Sequence, residues 1–340
     1  MISGVGAIFC FHRVVEDGHH SGFAPNTELE LRLSFLEDLL IMARAERWDI
    51  VTLDEVRRRL VERSFARKFV CFTIDDVYQD TRHLVLPLFQ RYDAPFTAFV
   101  TTGIPDRSFP IWWFSLEQIL RMRDVLWVPG VQGPRRLDVA DAAAKEAAYM
   151  DLVGFMRRCV SPTAAFADLC RLNELTAEEV VDDIGVTWDS LKAMSDSGLV
   201  EIGAHTVNHP CIADLSAEEA QREMEQSRRG IEERLGRPVR HFAFPYGHAP
   251  ACGPRDFALA KSLGFATAVT TRKRVLVPAD VERLHALPRL VLNGRFQKTR
   301  YAKVYMSGVL GPIESAMLWL SQNVGKASAV KKRGQFVCGE

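Results

Sequence analysis

The apolar run Phe69-Val70-Cys71-Phe72-Thr73-Ile74 ends directly on two aspartates, Asp75 and Asp76. Such a run reads as a buried strand that delivers two carboxylates at its carboxyl end. That is the end at which open and barrel-type α/β sheets carry their chemistry. Around it, strand-like and helix-like segments alternate, as in an α/β fold. Strands are expected near 5–11, 50–52, 69–74, 96–100, 200–202, 241–244, 265–269 and 287–292. Helices are expected over 29–46, from 54, and over 79–92, 188–196, 217–235 and 255–263. The best marked is 217–235: Ser216 and Glu219 form a capping box, Ala220, Met224, Ile231 and Leu235 make an apolar stripe, and Gly236 and Pro238 end it.

A second segment, His205-Thr206-Val207-Asn208-His209-Pro210, places two histidines four residues apart. If the turn between them is helical, both imidazoles project from one face. One carboxylate with two imidazoles is a common set of ligands for a catalytic Zn²⁺ or related divalent ion, with a position left for water. The second carboxylate is then free to act as a base. Taken singly, Asp75-Asp76 reads as an ordinary strand-end turn, and His205 and His209 as one core and one surface histidine. However, Phe244-Pro245-Tyr246-Gly247 follows another apolar strand and His12-Arg13 ends the first, so four strand ends carry chemically useful groups.

At 340 residues the chain is long enough for a large α/β core. Its 43 basic and 43 acidic residues give zero formal net charge, which offers no bulk attraction for nucleic acid. Seven cysteines, at 10, 71, 159, 170, 211, 252 and 338, form no CxxC pair and read as small buried thiols, not a disulfide framework. The amino terminus lacks a basic region and reads as a first strand, and no apolar run nears the roughly 18 residues that span a bilayer. A cytoplasmic protein is expected.

These motifs resemble the polysaccharide deacetylases, the NodB-homology or carbohydrate esterase 4 family, over most of residues 5–295. The family's Thr-Phe-Asp-Asp-Gly is met by Thr73-Ile74-Asp75-Asp76-Val77, its His-(Ser/Thr)-x-x-His-Pro by His205 to Pro210, and its Arg-x-Pro-Tyr-Gly by Ala243 to Gly247. The resemblance implies a distorted (β/α)7-type barrel that removes N-acetyl groups from amino sugars. It makes Asp75 the general base and Asp76, His205 and His209 the ligands of a divalent metal, Zn²⁺ first, with Co²⁺ or Ni²⁺ able to substitute. It gives the backbone N–H of Tyr246 to the oxyanion.

The chain departs from the pattern at three points. Val77 replaces a glycine, so this loop is not expected to use positive φ freely. Ala243 replaces the arginine that orients the catalytic aspartate, and Arg289, in the apparent strand 287–292, is the candidate to supply that cation. The late Leu-x-His motif is degraded to Arg283-Leu284-His285. For the general acid His12 is therefore preferred, then His248, then His285; the alternative for His12 is a buried strand-end histidine.

The expected organisation is one deacetylase domain over 1–310, with a mostly helical insertion at about 103–186 and a C-terminal helix and basic tail over 311–340. The insertion holds Phe109, Trp112, Trp113 and Phe114, and a helix over 139–159. Its tryptophans either stack on a sugar ring or anchor the insertion. The tail (Ile313, Met317, Leu318, Leu320, Val324, then Lys326, Lys331, Lys332 and Arg333) reads as a helix packed on the barrel, with a peripheral membrane contact as the other reading. The expected substrate is an N-acetylated polysaccharide, oligosaccharide or lipid-linked precursor. Two other readings stay open: a silent carbohydrate-binding barrel, and amide hydrolysis on a non-sugar substrate. An intact Asp75 argues against silence.

Overall fold

A computed structural model describes residues 4–18, 22–130, 133–159, 161–176 and 183–307. The expected C-terminal helix and basic tail lie outside the described residues.

The apolar runs form the strands because each is covered on both faces: Gly6–Phe11, Phe69–Ile74 and Phe96–Val100 are buried along their whole length. They assemble into one eight-stranded sheet in the order Thr267–Val269, His241–Ala243, Val200–Ala204, Phe96–Val100, Phe69–Ile74, Gly6–Phe11, Leu290–Val291. The eighth strand, Asp49–Ile50, pairs with the start of Phe69–Ile74. Every pairing in this sheet is parallel.

The sheet curls, and one segment bridges its two edges. Leu287 pairs with Val269 and accepts from Thr270 N at 2.8 Å, while three residues on, Leu290 pairs with Phe9. This is the distorted barrel expected from the sequence. All the carboxyl ends of the strands open on the same side, where Asp75-Asp76, His205 and Phe244-Pro245-Tyr246-Gly247 follow them.

Helix Ala217–Leu235 has both arms of its capping box, with Gly236 at φ 66 closing it. Other segments differ from expectation. The helix expected from 29 begins at Leu33, because Glu30–Arg32 pairs as a short strand with Arg13–Val15 and buries Leu31. The helix expected over 79–92 opens with a wide π turn at Thr81–Val85 and becomes α-helical at Leu86–Arg91; Pro87, lacking an N–H, stands at that junction.

The 103–186 insertion holds helices Trp112–Met122, Ala142–Met156 and Pro162–Leu172. It also holds an unexpected antiparallel hairpin, Val125–Val128 with Arg135–Asp138, which buries Leu126 and Val128. Trp112 is 1 % exposed and anchors the insertion in the core. Cys10, Cys71, Cys170, Cys211 and Cys252 are free thiols as expected. Cys159 is disulfide-bonded, which corrects the thiol reading there: spacing along a sequence does not reveal which sulfurs meet in space.

Candidate active site

Strand Phe69–Ile74 ends one residue before Asp75, whose N–H bonds to Phe11 O at 3.0 Å and so ties the strand end to its neighbour. The Asp75 carboxylate is gripped by Arg289: Nη1 to Oδ1 and Nη2 to Oδ2, both at 2.6 Å. Arg289 also donates to Thr73 Oγ1 and Thr270 O, each at 3.0 Å, and is fully buried. It thus supplies a guanidinium to the aspartate where Ala243 carries none. The Cys10 thiol adds a 3.4 Å contact to Asp75 Oδ2.

Asp76 and Val77 both stand at φ 65. Contrary to expectation, the loop does enter the left-handed region at Val77, although a β-branched residue is strained there. Full burial of Val77 in the apolar cluster holds it in place. Asp76 Oδ2 accepts from Tyr78 Oη at 3.0 Å, while Oδ1 is buried without a hydrogen-bond partner. Oδ1 faces His209 Nε2 at 3.4 Å and His205 Nε2 at 3.7 Å.

The two histidines do not sit on a helical turn. Residues 205–210 form a loop with Thr206 at φ 66 and His209 at φ 49. Glu223, from the long helix, fixes it by accepting from Val207 N at 2.8 Å, Asn208 N at 3.0 Å and Asn208 Nδ2 at 2.8 Å. The His205 Nδ1 stands 2.7 Å from Ala243 O, so it carries the proton and turns the Nε2 lone pair toward Asp76.

Burial lowers His205 to about 4 and His209 to about 3, so both imidazoles are neutral near pH 7. Burial also raises Asp76. For Asp75, burial pushes upward, but the Arg289 guanidinium, His205 and the hydrogen bonds from Arg289 override it and hold the carboxyl well below its ordinary range. Two neutral imidazoles and an unpartnered carboxylate oxygen, with one donor atom from each within 4.8 Å of the others, fit a divalent cation. Two ligands about 2.0–2.1 Å from a tetrahedral ion stand about 3.3–3.4 Å apart, close to the separations found here.

His12 lies half-buried beside this centre, grouped with Cys10 and Asp75 within 4.8 Å. Tyr246, at φ 60, packs its ring 4.9 Å from that of His209. His248 is exposed, with its ring 6.5 Å from that of Tyr246. His285 is not brought to the mouth: its Nε2 bonds to Phe265 O at 2.8 Å, before the start of strand Thr267–Val269 and so at the far end of the barrel.

Sequence reasoning missed several neighbours. Tyr78 anchors Asp76, while Trp113, singled out in the sequence for stacking on a sugar or anchoring the insertion, packs its ring 5.3 Å from that of His209. Arg157, from the insertion, lies over the Tyr246 ring at 5.3 Å. Tyr78 was findable two residues beyond Asp76; nothing in the sequence marks Arg157.

The polysaccharide deacetylase family pattern matches residues 160–268, a stretch that includes His205 to Pro210 and Phe244 to Gly247 but not Asp75-Asp76. A search of curated proteins gave no match. Among solved structures, the chain is similar to a Streptococcus pyogenes deacetylase, PplD, in complex with acetate (17% identity, 85% of this chain and 92% of that one, TM-score 0.55). It is similar to IcaB from Ammonifex degensii (18% identity, 85% and 92%, TM-score 0.54). It is also similar to a de-N-acetylase from Aggregatibacter actinomycetemcomitans (15% identity, 88% and 98%, TM-score 0.56). At these identities the likeness is one of fold.

Proposed function

We propose, from a polysaccharide-deacetylase segment carried on a fold shared with solved deacetylases, that this chain is a metal-dependent hydrolase removing N-acetyl groups from amino sugars. The observation that carries the reading is Asp76 Oδ1, buried without a partner between two neutral imidazole nitrogens.

Asp76, His205 and His209 would hold the ion, with Zn²⁺ favoured and Co²⁺ or Ni²⁺ able to replace it. When bound, a divalent ion supplies a Lewis acid for the amide carbonyl and lowers the pKa of water beside it. Asp75 takes the proton from the attacking water, and Arg289 keeps its carboxylate ionised and fixed in direction. The Tyr246 N–H receives the charge that develops on the carbonyl oxygen. As the C–N bond breaks, His12 delivers a proton to the departing nitrogen, which would otherwise be a very poor leaving group. The substrate is an N-acetylated polysaccharide, oligosaccharide or lipid-linked saccharide precursor.

The test is elemental analysis of purified protein together with acetate release from a panel of N-acetylated oligosaccharides. Asp75→Asn should keep the metal and lose turnover by several orders of magnitude; His209→Ala should lose both. Full acetate release after exhaustive chelation contradicts the metal reading, and loss of metal in Asp75→Asn contradicts the division of roles.

A further inference from the structure

A second set of donors meets at the amino-terminal end of the barrel, opposite the Asp75-Asp76 mouth. His241 opens strand His241–Ala243, Glu201 is the second residue of Val200–Ala204, and Asp54 is the second residue of helix Leu53–Glu62. One donor atom from each lies within 4.8 Å of the others. His241 is 2 % exposed, and its Nε2 is buried with no hydrogen-bond partner. That nitrogen faces Asp54 Oδ1 at 3.4 Å. The separation exceeds the usual N–H···O range of about 2.7–3.2 Å. It matches two ligands sharing one tetrahedral ion, as Asp76 and His209 do at the other end.

The surroundings have the form expected around a ligating histidine. His241 Nδ1 stands 2.9 Å from Thr267 Oγ1, a hydroxyl that can accept the Nδ1 proton and so leave the Nε2 lone pair free. Ala243 O does the same for His205. Glu201 Oε2 accepts from Leu53 N and Thr97 Oγ1, both at 2.9 Å, whereas Oε1 receives only a long 3.4 Å contact from Asp54 N. Oε1 therefore has capacity for a further partner. A cavity of about 300 Å³, lined by Thr52, Asp54, Glu201, Arg240 and His241 among others, gives an entry path. Arg240 Nε donates to Asp54 Oδ1 at 3.0 Å from an exposed side chain, and so competes for that oxygen.

We propose that Asp54, Glu201 and His241 form a second divalent-metal site of the Zn²⁺ class. It fastens the amino terminus of helix Leu53–Glu62 to two strands of the barrel. The proposal does not rest on the catalytic reading.

The test is equilibrium dialysis of chelator-stripped, full-length protein against Zn²⁺ at neutral pH, followed by elemental analysis. Wild type should bind two ions per chain, His209→Ala one, and His241→Gln one. Asp54→Ala should weaken the second ion at least tenfold, and Arg240→Ala should tighten it. Zn²⁺ should raise the Tm of His209→Ala but not that of His209→Ala with Asp54→Ala. Should His241→Gln not fold, the surface variant Asp54→Ala decides the matter. One ion in wild type and none in His209→Ala overturns the proposal, as does a second ion that persists in Asp54→Ala. A single ion that survives His209→Ala and is lost in Asp54→Ala keeps this site while removing the catalytic metal.

Discussion

Arg289 holds both carboxylate oxygens of Asp75 at 2.6 Å from a position 214 residues further along the chain. Both side chains are almost completely buried, so each depends on the other for its charge.

Removing one member of such a pair leaves an uncompensated buried charge. Arg289→Ala should therefore destabilise the protein by about 3–5 kcal/mol in denaturant unfolding. Arg289→Lys should rescue little turnover, because an ammonium cannot bridge both oxygens in one plane. Turnover restored by lysine would show that charge alone, not the fixed direction of Asp75, is what catalysis needs.

The metal-free protein should lose stability on mild acidification. His205 and His209 are held at about 4 and about 3, against about 6.5 when unfolded, so the folded state binds fewer protons. Their contribution is complete above about pH 6.5 and is lost as pH falls toward 4 and then 3. Asp75, held low, acts in the same direction below about pH 4. Asp80, raised to about 6 by burial, and Asp76, also raised by burial, act oppositely, while His248 and His285, both lowered by burial, act with His205 and His209. The Tm of chelated protein should fall between pH 7.5 and 5; a flat or rising Tm contradicts this.

His12→Ala should lower turnover about 10²–10⁴-fold while leaving metal content and Tm unchanged, the usual contribution of a general acid. His285→Ala should change turnover little, since its ring bonds to Phe265 O at the other end of the barrel. Near-normal turnover in His12→Ala, with a large loss in His248→Ala, would move the proton donor to His248.

Trp112 and Trp113 should separate by readout. Trp112→Ala, at a fully packed site, should cost about 3–5 kcal/mol of stability. Trp113 touches His209, so Trp113→Ala should also lower turnover at saturating metal. Equal turnover losses in the two variants would mean that the insertion acts only as packing.

The sequence made the barrel legible because its strands are buried on both faces and appear as continuous apolar runs. Asp75-Asp76 stood out because one such run, Phe69–Ile74, stops on it. The histidine pair was visible, but its geometry was not: a four-residue spacing suits a helical turn, whereas two left-handed residues and Glu223 build the loop instead. Val77 misled for a related reason, since a local preference against positive φ is overridden by burial of the side chain. The hairpin at 125–138 and the strand at 30–32 are too short to show a period.

The first and last strands of the ring lie side by side, and the last segment carries Arg289. During synthesis, Asp75, Asp76, His205 and His209 all leave the ribosome before the group that neutralises Asp75. A nascent chain ending near residue 280 would hold that carboxylate with no guanidinium beside it, and strand Gly6–Phe11 with one edge open. Completion of the candidate site around Asp75 and closure of the barrel are thus one late event.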